Sequence, residues 1–254
     1  MKRFLQLANI LAFLFALTAN ALAAMQSVGG ASIKDMSDKY ATFLTPATYA
    51  FSIWGLIYLL LLGFVLYQAR DFFASNEKNE LPKKLSGWFI LSSLANGFWT
   101  LFFVHEMILA SLLTLMILTV SLYVIIGRLK IALEDNEVKR IVFIWWPILF
   151  YAGWVTVALI VNAASYLNYL GEAVSPFATL LALTVLAVCL LIMLVKRNVR
   201  ELLVASTWGI IAIGVARMAG PMQNDTVAAG AFILSAVLLV ACGIHAYANR
   251  KSLL

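Results

Sequence analysis

Apolar residues are concentrated in eight long runs that are separated by short polar segments. The runs cover approximately residues 4–23, 47–68, 87–105, 108–128, 142–165, 175–195, 201–219 and 226–247. Each run is close to the roughly 20 residues that an α-helix needs to cross about 30 Å of hydrocarbon. Most runs also lack the polar face that a soluble helix carries. The pattern predicts an all-α integral membrane protein with about eight transmembrane helices.

The composition agrees with this fold class. Hydrophobic residues make up 63% of the 254-residue chain and charged residues 12%, against roughly 45–50% and 25% in soluble proteins. The eight runs leave almost no sequence for a soluble domain. The net charge of +6 therefore indicates orientation in a membrane, and we expect contact with membrane lipids and no binding of nucleic acid.

Basic residues fall almost entirely on one side of the predicted helices. An even number of crossings places both termini on the same side. Of the 18 Lys and Arg residues, the opposite side receives only Lys34, Lys39 and Arg217. By the positive-inside rule, we expect both termini to lie in the cytoplasm, with the bacterial cytoplasmic membrane as the location.

The first run allows two interpretations. The segment "MKRFLQLANILAFLFALTANALAAM" has a basic start, an apolar middle and Ala-x-Ala near its end, which is also typical of a secretory signal peptide. The run is longer than the 7–15 residues of a usual signal core. We therefore expect a retained transmembrane helix, with cleavage as the alternative.

The connections between the runs differ in character. Residues 24–46 form the longest one, which lies on the outer side and contains glycines, hydroxyl groups and balanced charge. A loop of this length is typical of a lid or a binding loop, although a mobile connector is an equal alternative. The charged inner loops near residues 69–86 and 129–141 are typical of solvated connectors.

Four tryptophans lie well inside the predicted helices, and one of them, Trp208, lies on the inner side of the seventh run. At a rise of 1.5 Å per residue, Trp54 and Trp99 lie about 10 Å and about 9 Å below the outer ends of their runs, and Trp154 lies nearer the midplane. Asn96 and Asn162 occupy two of the same runs. Indole N–H groups and amides at this depth normally face the bundle interior or a cavity. Either the asparagines bond helices together, or these side chains line a pocket that opens toward the outer leaflet.

Three segments resemble helices of one known family. "PATYAFSIWGLIY" (46–58), "LANGFWTLFF" (94–103) and "PILFYAGWVTVALIVN" (147–162) resemble the second, third and fifth helices of the TspO/MBR family, the tryptophan-rich sensory or translocator proteins. The resemblance covers roughly residues 1–168. It implies a TspO-like five-helix membrane domain over residues 1–168, followed by three additional transmembrane helices over 169–254, as in a long form of the family.

The resemblance also implies a ligand cavity that is capped by the first loop and accepts porphyrins. The residues that would line or approach this cavity are Ala50, Phe51, Trp54, Tyr58, Asn96, Trp99, Phe103, Trp154, Ala158, Val161 and Asn162. The chain has Ala163 and Ala164 where the family often has a tyrosine and a basic residue. Sterol binding through that pattern is therefore not expected.

The expected function is to bind, sense or translocate a hydrophobic ligand, with a porphyrin or heme-like molecule as the ligand that the resemblance implies. The alternatives are a facilitative transporter and a light-dependent porphyrin-degrading enzyme. The sequence contains no nucleophile with a matching base and no metal-ligand spacing, so no catalytic residue, metal ligand or resident cofactor is predicted.

Arg217 and the small residues Gly153 and Ala158 each allow two interpretations. Arg217, at the outer end of the seventh run, is expected to snorkel to lipid phosphates, with attraction of a ligand carboxylate as the alternative. Gly153 and Ala158 are small enough to permit close helix approach. That approach could occur within one chain or between two chains of a homodimer.

Overall fold

The structure is a computed structural model that describes residues 1–73, 80–133 and 137–249. Within these ranges the secondary structure is entirely helical. The α-helices in chain order are α1 Lys2–Ala24, α2 Ile33–Lys39, α3 Ile53–Gln68, α4 Leu81–Leu85, α5 Trp88–Val104, α6 Ile108–Arg128, α7 Val138–Arg140, α8 Trp146–Tyr169, α9 Pro176–Arg197, α10 Arg200–Ala216 and α11 Asp225–Ala248. A 3-10 turn over Thr48–Ser52 precedes α3, and a π-turn over Ile141–Trp145 joins α7 to α8.

A long helix lies at each of the eight predicted runs, which confirms the all-helical fold class. Helices suit hydrocarbon because every backbone polar group must find its partner inside the segment. Among the described residues, six segments are long and apolar enough to cross a membrane: Lys2–Ala24, Thr48–Gln68, Ile108–Arg128, Val138–Tyr169, Pro176–Arg197 and Asp225–Ala248. The number of eight crossings stays a prediction.

The chain forms two compact units. The first comprises Met1–Met36, Trp54–Ile131 and Asn136–Ile148, and the second comprises Ser37–Ile53, Ala132–Asp135 and Leu149–Leu254. The sequence analysis divided the chain differently, into residues 1–168 and 169–254. That division into domains stays a prediction.

In the first unit, α5 packs between α1 and α6. The two helices α5 and α1 lie close together at Gly97, which has no side chain. A Cβ atom at this position would lie only 2.4 Å from the ring of Phe15 on α1. Five of the side chains that α1 buries recur at intervals of three and four residues: Gln6, Asn9, Phe13, Ala16 and Asn20. This spacing places them on one helical face, so α1 is an integral part of the unit.

In the second unit, α10 packs against α11 and α9, and its start contacts α8. A Cβ atom at Gly153 would lie 2.2 Å from the carbonyl oxygen of Leu202. The hydroxyl of Ser206 donates hydrogen bonds to the carbonyl oxygens of Gly153 at 2.9 Å and Leu202 at 3.0 Å. Gly153 therefore permits close helix approach within one chain, one of its two predicted uses.

The fifth predicted run is longer in the structure than in the sequence analysis. Residues 142–165 belong to a continuous helical segment of 32 residues, Val138–Tyr169, with the π-turn inside it. Pro147 explains the turn, because proline has no N–H and its ring clashes with the carbonyl four residues earlier. The wider π-turn directly before it relieves this mismatch. Hydropathy placed the run but could not place this irregular start.

Two helices of the second unit present large apolar side chains to their surroundings. Phe177 and Val195 on α9 are each 76% exposed, and Ile244 on α11 is 66% exposed. In water such surfaces would promote aggregation, whereas lipid chains solvate them. Together with the six long apolar segments, they identify an integral membrane protein.

The long first connection contains the short helix α2, which the sequence analysis did not predict. Three hydrogen bonds converge on the Asp35 carboxylate at its start. Ser32 donates from its hydroxyl at 2.7 Å and its N–H at 2.8 Å, and Gln26 donates from its side chain at 2.8 Å. These bonds, led by the Ser32 hydroxyl, lower the pKa of Asp35 to about 2. The carboxylate therefore organises this part of the connection.

Candidate functional site

Aromatic rings from α3 and α5 form a cluster in the first unit. The rings of Trp54 and Trp99 lie 5.6 Å apart at 32°, and Tyr58 stacks on Trp54 at 5.6 Å and 24°. Phe103 stacks on Trp99 at 6.2 Å and 15°. Each stacked pair is four residues apart on one helix, the spacing that makes side chains neighbours. Both indoles are buried, so these four predicted site residues are together in the structure.

Asn96 is the polar centre beside this aromatic cluster. Its side-chain oxygen accepts hydrogen bonds from the Asn20 amide at 2.7 Å and from the Tyr58 hydroxyl at 2.9 Å. The three residues lie on α5, α1 and α3, so the asparagine ties three helices together. The ligand contact of Asn96 stays a prediction.

The indole N–H of Trp99 is a buried hydrogen-bond donor that a ligand could use. Its side chain is only 4% exposed, and among the described residues its indole N–H has no hydrogen-bond acceptor. A buried donor without an acceptor costs about 1–3 kcal/mol. An acceptor on a bound molecule would remove that cost.

The remaining predicted site residues lie in the second unit. Phe51 packs edge-on against Trp154, with ring centroids 6.3 Å apart at 83°. Ala50 and Asn162 are buried, and Ala158 and Val161 follow on α8 at intermediate exposure. Within this unit the structure therefore brings Phe51 and Trp154 together, and the assignment of the whole set to one cavity stays a prediction.

Helix α10 holds the end of the long first connection, a contact that the sequence analysis missed. The backbone N–H of Ala47 donates to the carbonyl of Ala212 at 2.9 Å. The indole N–H of Trp208 donates to the carbonyl of Ala50 at 3.2 Å, and its ring packs edge-on against Tyr49 at 5.2 Å. No local pattern could reveal these pairs, because their members lie more than 150 residues apart.

The expectation that Arg217 snorkels to lipid phosphates is wrong. Its side chain is only 5% exposed. It donates to the carbonyl oxygens of Met222 at 3.1 Å and Thr45 at 3.5 Å, and it lies 5.8 Å from the ring of Phe43. The arginine therefore fastens the first connection from within the protein.

A second polar network joins α1 to the end of α3. Gln6 donates to the Gln68 carbonyl at 3.0 Å and to the Asp71 carboxylate at 2.8 Å, and Asn9 donates to the Gln68 side chain at 3.3 Å. Lys2 forms an ion pair with Asp71. The sequence held a signal for this network, since the polar residues of the first run share one helical face.

These contacts support retention of α1 as a transmembrane helix. We expect the intact mass of the purified protein to include residues 1–24, because their removal would take away the Asn9 and Asn20 amides that donate to the side chains of Gln68 and Asn96. A tag at the C-terminus provides the control. Purification through the tag selects chains with an intact C-terminus, so any missing mass comes from the N-terminus. A mass that corresponds to a chain beginning after Ala24 would contradict retention of α1.

The fold defines a helical integral membrane protein, and its first unit contains a cluster of aromatic rings beside a buried amide. Residues 6–244 match the family model of TSPO-like proteins. The chain therefore belongs to the TSPO-like protein family, which confirms the resemblance and extends it beyond residue 168. Comparisons with curated proteins and with solved structures gave no match. Membership indicates a membrane protein that binds or senses a ligand.

Proposed function

We propose that the aromatic cluster of Trp54, Tyr58, Trp99 and Phe103 binds a flat hydrophobic ligand, with a porphyrin as the leading candidate. The observation that carries this proposal is the contact between two buried indoles from different helices, beside the Asn96 amide. Aromatic walls with a few convergent polar groups are typical of small-molecule sites. The protein would use this site to sense the ligand or to pass it across the membrane.

The energetics favour a flat ligand over the present ring pair. An aromatic pair contributes about 0.5–1.5 kcal/mol beyond its buried area. A ligand that buries on the order of 100 Å² of apolar surface gains about 2.5 kcal/mol, which offsets the separation of the two indoles. The N–H of Trp99, which has no acceptor in the part of the chain that the structure describes, would direct a polar edge of the ligand toward α5.

The proposed topology places this cluster in the outer half of the membrane. We propose eight crossings with both termini in the cytoplasm of a bacterium. Helix α3 then starts on the outer side, where Trp54 is its second residue, and α5 ends there, five residues after Trp99.

A porphyrin titration tests the proposal. We expect protoporphyrin IX to quench tryptophan fluorescence in the purified protein, and Trp99→Leu to weaken binding at least tenfold, a loss of about 1.4 kcal/mol. Trp54→Leu should act similarly because both rings contribute stacking surface. Trp88→Leu, at the opposite end of α5, is the matched control and should bind like the unmodified protein.

The outcomes separate the proposed function from its alternatives. Unchanged affinity in the Trp54→Leu/Trp99→Leu double variant, with helicity retained by circular dichroism, would remove the site. Light-dependent loss of the Soret band with a new product would establish the degrading enzyme. Accumulation of porphyrin inside sealed vesicles would establish a transporter.

A further inference from the structure

The first unit contains a cavity of about 160 Å³ at the end opposite the aromatic cluster. Tyr67 lies 13 residues after Trp54 on α3, so the two sites are about 20 Å apart along that helix. Four segments form the walls, and their polar lining residues are Tyr67, Arg70, Glu80, Lys84 and Arg140. The charged loops that the sequence analysis interpreted as solvated connectors thus contribute to a shaped site.

Positive charge dominates this cavity. Three of its charged residues are cations, and the carboxylate of Glu80 already accepts a bond from the Lys83 ammonium at 3.2 Å. Among the described residues, the side chains of Lys84 and Arg140 have no hydrogen bond or ion pair. Two cations without counter-charges in one cavity favour an anion as its occupant.

The Arg70 side chain and the backbone at Lys84 are held in place before any ligand binds. The Arg70 guanidinium donates to the Tyr67 carbonyl at 2.8 Å and lies 4.0 Å from the Tyr67 ring centroid. Tyr67 itself stacks on Phe143 at 5.4 Å and 6°. Arg128 donates to the Lys84 carbonyl at 3.1 Å, which joins the end of α6 to α4. Because the Arg70 side chain is already ordered, it loses little side-chain entropy on binding.

The other side of the cavity is apolar. Leu81, Leu129 and Ile144 line it and are buried, while nearby Leu66 and Val138 are 64% and 74% exposed. A soluble anion would use the cations and leave this surface without a partner. A phospholipid uses both, because its phosphate meets the basic side chains and its acyl chains meet the exposed apolar surface.

We propose that this cavity binds the phosphate of an anionic phospholipid headgroup, with Arg70, Lys84 and Arg140 as the charged contacts. Arginine and lysine bind phosphate through charge-assisted hydrogen bonds, and basic pockets between membrane helices are suited to anionic headgroups. A water molecule occupies about 30 Å³ of liquid, so the cavity has room for a phosphate with part of its glycerol. This lipid site is independent of the porphyrin proposal.

The test compares lipid retention on the full-length protein. Purified protein is incubated in mixed micelles with phosphatidylglycerol or phosphatidylcholine of identical acyl chains, and bound lipid is counted by native mass spectrometry. We expect at least tenfold preference for phosphatidylglycerol. Arg140→Gln and Lys84→Gln should each reduce its retention about tenfold, because each removes a charge-assisted hydrogen bond.

Lys139→Gln is the matched control, since it removes the same charge from an exposed neighbour on α7 that does not line the cavity. Its retention should equal that of the unmodified protein. Equal loss in Lys139→Gln and Arg140→Gln would overturn the site in favour of general surface charge. Competition by inorganic phosphate at the concentration at which phosphatidylglycerol binds would overturn the lipid assignment and leave a site for a soluble anion. Circular dichroism and thermal melting of each variant establish that it is folded.

Discussion

Replacing Gly153 by alanine is expected to destabilise the protein by about 3 kcal/mol. The new Cβ would lie 2.2 Å from the carbonyl oxygen of Leu202 and 2.9 Å from the Cβ of Ala205. Neither atom is the flexible end of a side chain, so α8 and α10 must move apart. Overpacking of this kind costs about 1–3 kcal/mol and occasionally more, and the hydrogen bond from Ser206 to the Gly153 carbonyl would be strained as well.

Thermal unfolding in detergent, followed by circular dichroism at 222 nm, measures this effect. Gly55→Ala is the matched control, because Gly55 lies in α3 and a Cβ there meets no atom within 4 Å. We expect the control to melt at or slightly above the temperature of the unmodified protein, since alanine favours the helix. Equal melting of the two variants would show that α8 and α10 are not in close contact at this point.

The contact at Gly153 indicates a structural role for α10, which is one of the last three helices. Helix α10 approaches α8 there, and farther along it fastens the first connection through Trp208, Ala212 and Arg217. The family match to residue 244 indicates that these helices belong to the same family pattern as the first five. Within the second unit, α10 therefore connects the segment before α3 to the core, a role that a five-helix comparison could not suggest.

The sequence predicted the helices well because hydropathy is a local property. Runs of about 20 apolar residues located all eight long helices to within a few residues at most ends. The largest differences lie at the start of the second run, where a 3-10 turn over Thr48–Ser52 precedes α3, and around the fifth run, where Pro147 imposes a π-turn and the helix continues to Tyr169. The pairs Trp54–Tyr58 and Trp99–Phe103 were also predictable, because residues four apart on a helix are neighbours.

Contacts between distant segments were beyond such an analysis. The pairing of Trp208 with Ala50 and of Arg217 with Thr45 leaves no trace in composition or period. Arg217 was therefore interpreted from its position at a helix end, where exposure is the usual state of an arginine. Asn20 is an intermediate case, since its place on the polar face of α1 was visible in the sequence but its partner Asn96 was not.

Asn96→Leu is the second substitution with a large expected effect, a destabilisation of about 2 kcal/mol. It removes the acceptor of two hydrogen bonds, from the Asn20 amide and the Tyr58 hydroxyl. A buried donor that loses its acceptor costs about 1–3 kcal/mol, although Asn20 keeps its bond to the Ala16 carbonyl at 3.0 Å. Interhelical bonds in membranes average about 0.6 kcal/mol, so the loss of the two bonds to α1 and α3 accounts for more than half of the expected effect.

Two further variants separate this mechanism from a simple loss of packing. Tyr58→Phe should cost less than about 1 kcal/mol, because Asn96 keeps its bond from Asn20 and no donor is stranded. Thr100→Val is the matched control on α5, since its buried hydroxyl donates to the Asn96 backbone carbonyl in its own helix and its loss strands no donor on another helix. In the Tyr58→Phe background, Asn96→Leu should become milder, and the difference between the two backgrounds measures the coupling. If Asn96→Leu unfolds at the same temperature as Thr100→Val, the amide does not bind α1 and α3 to α5, and packing alone holds these helices together.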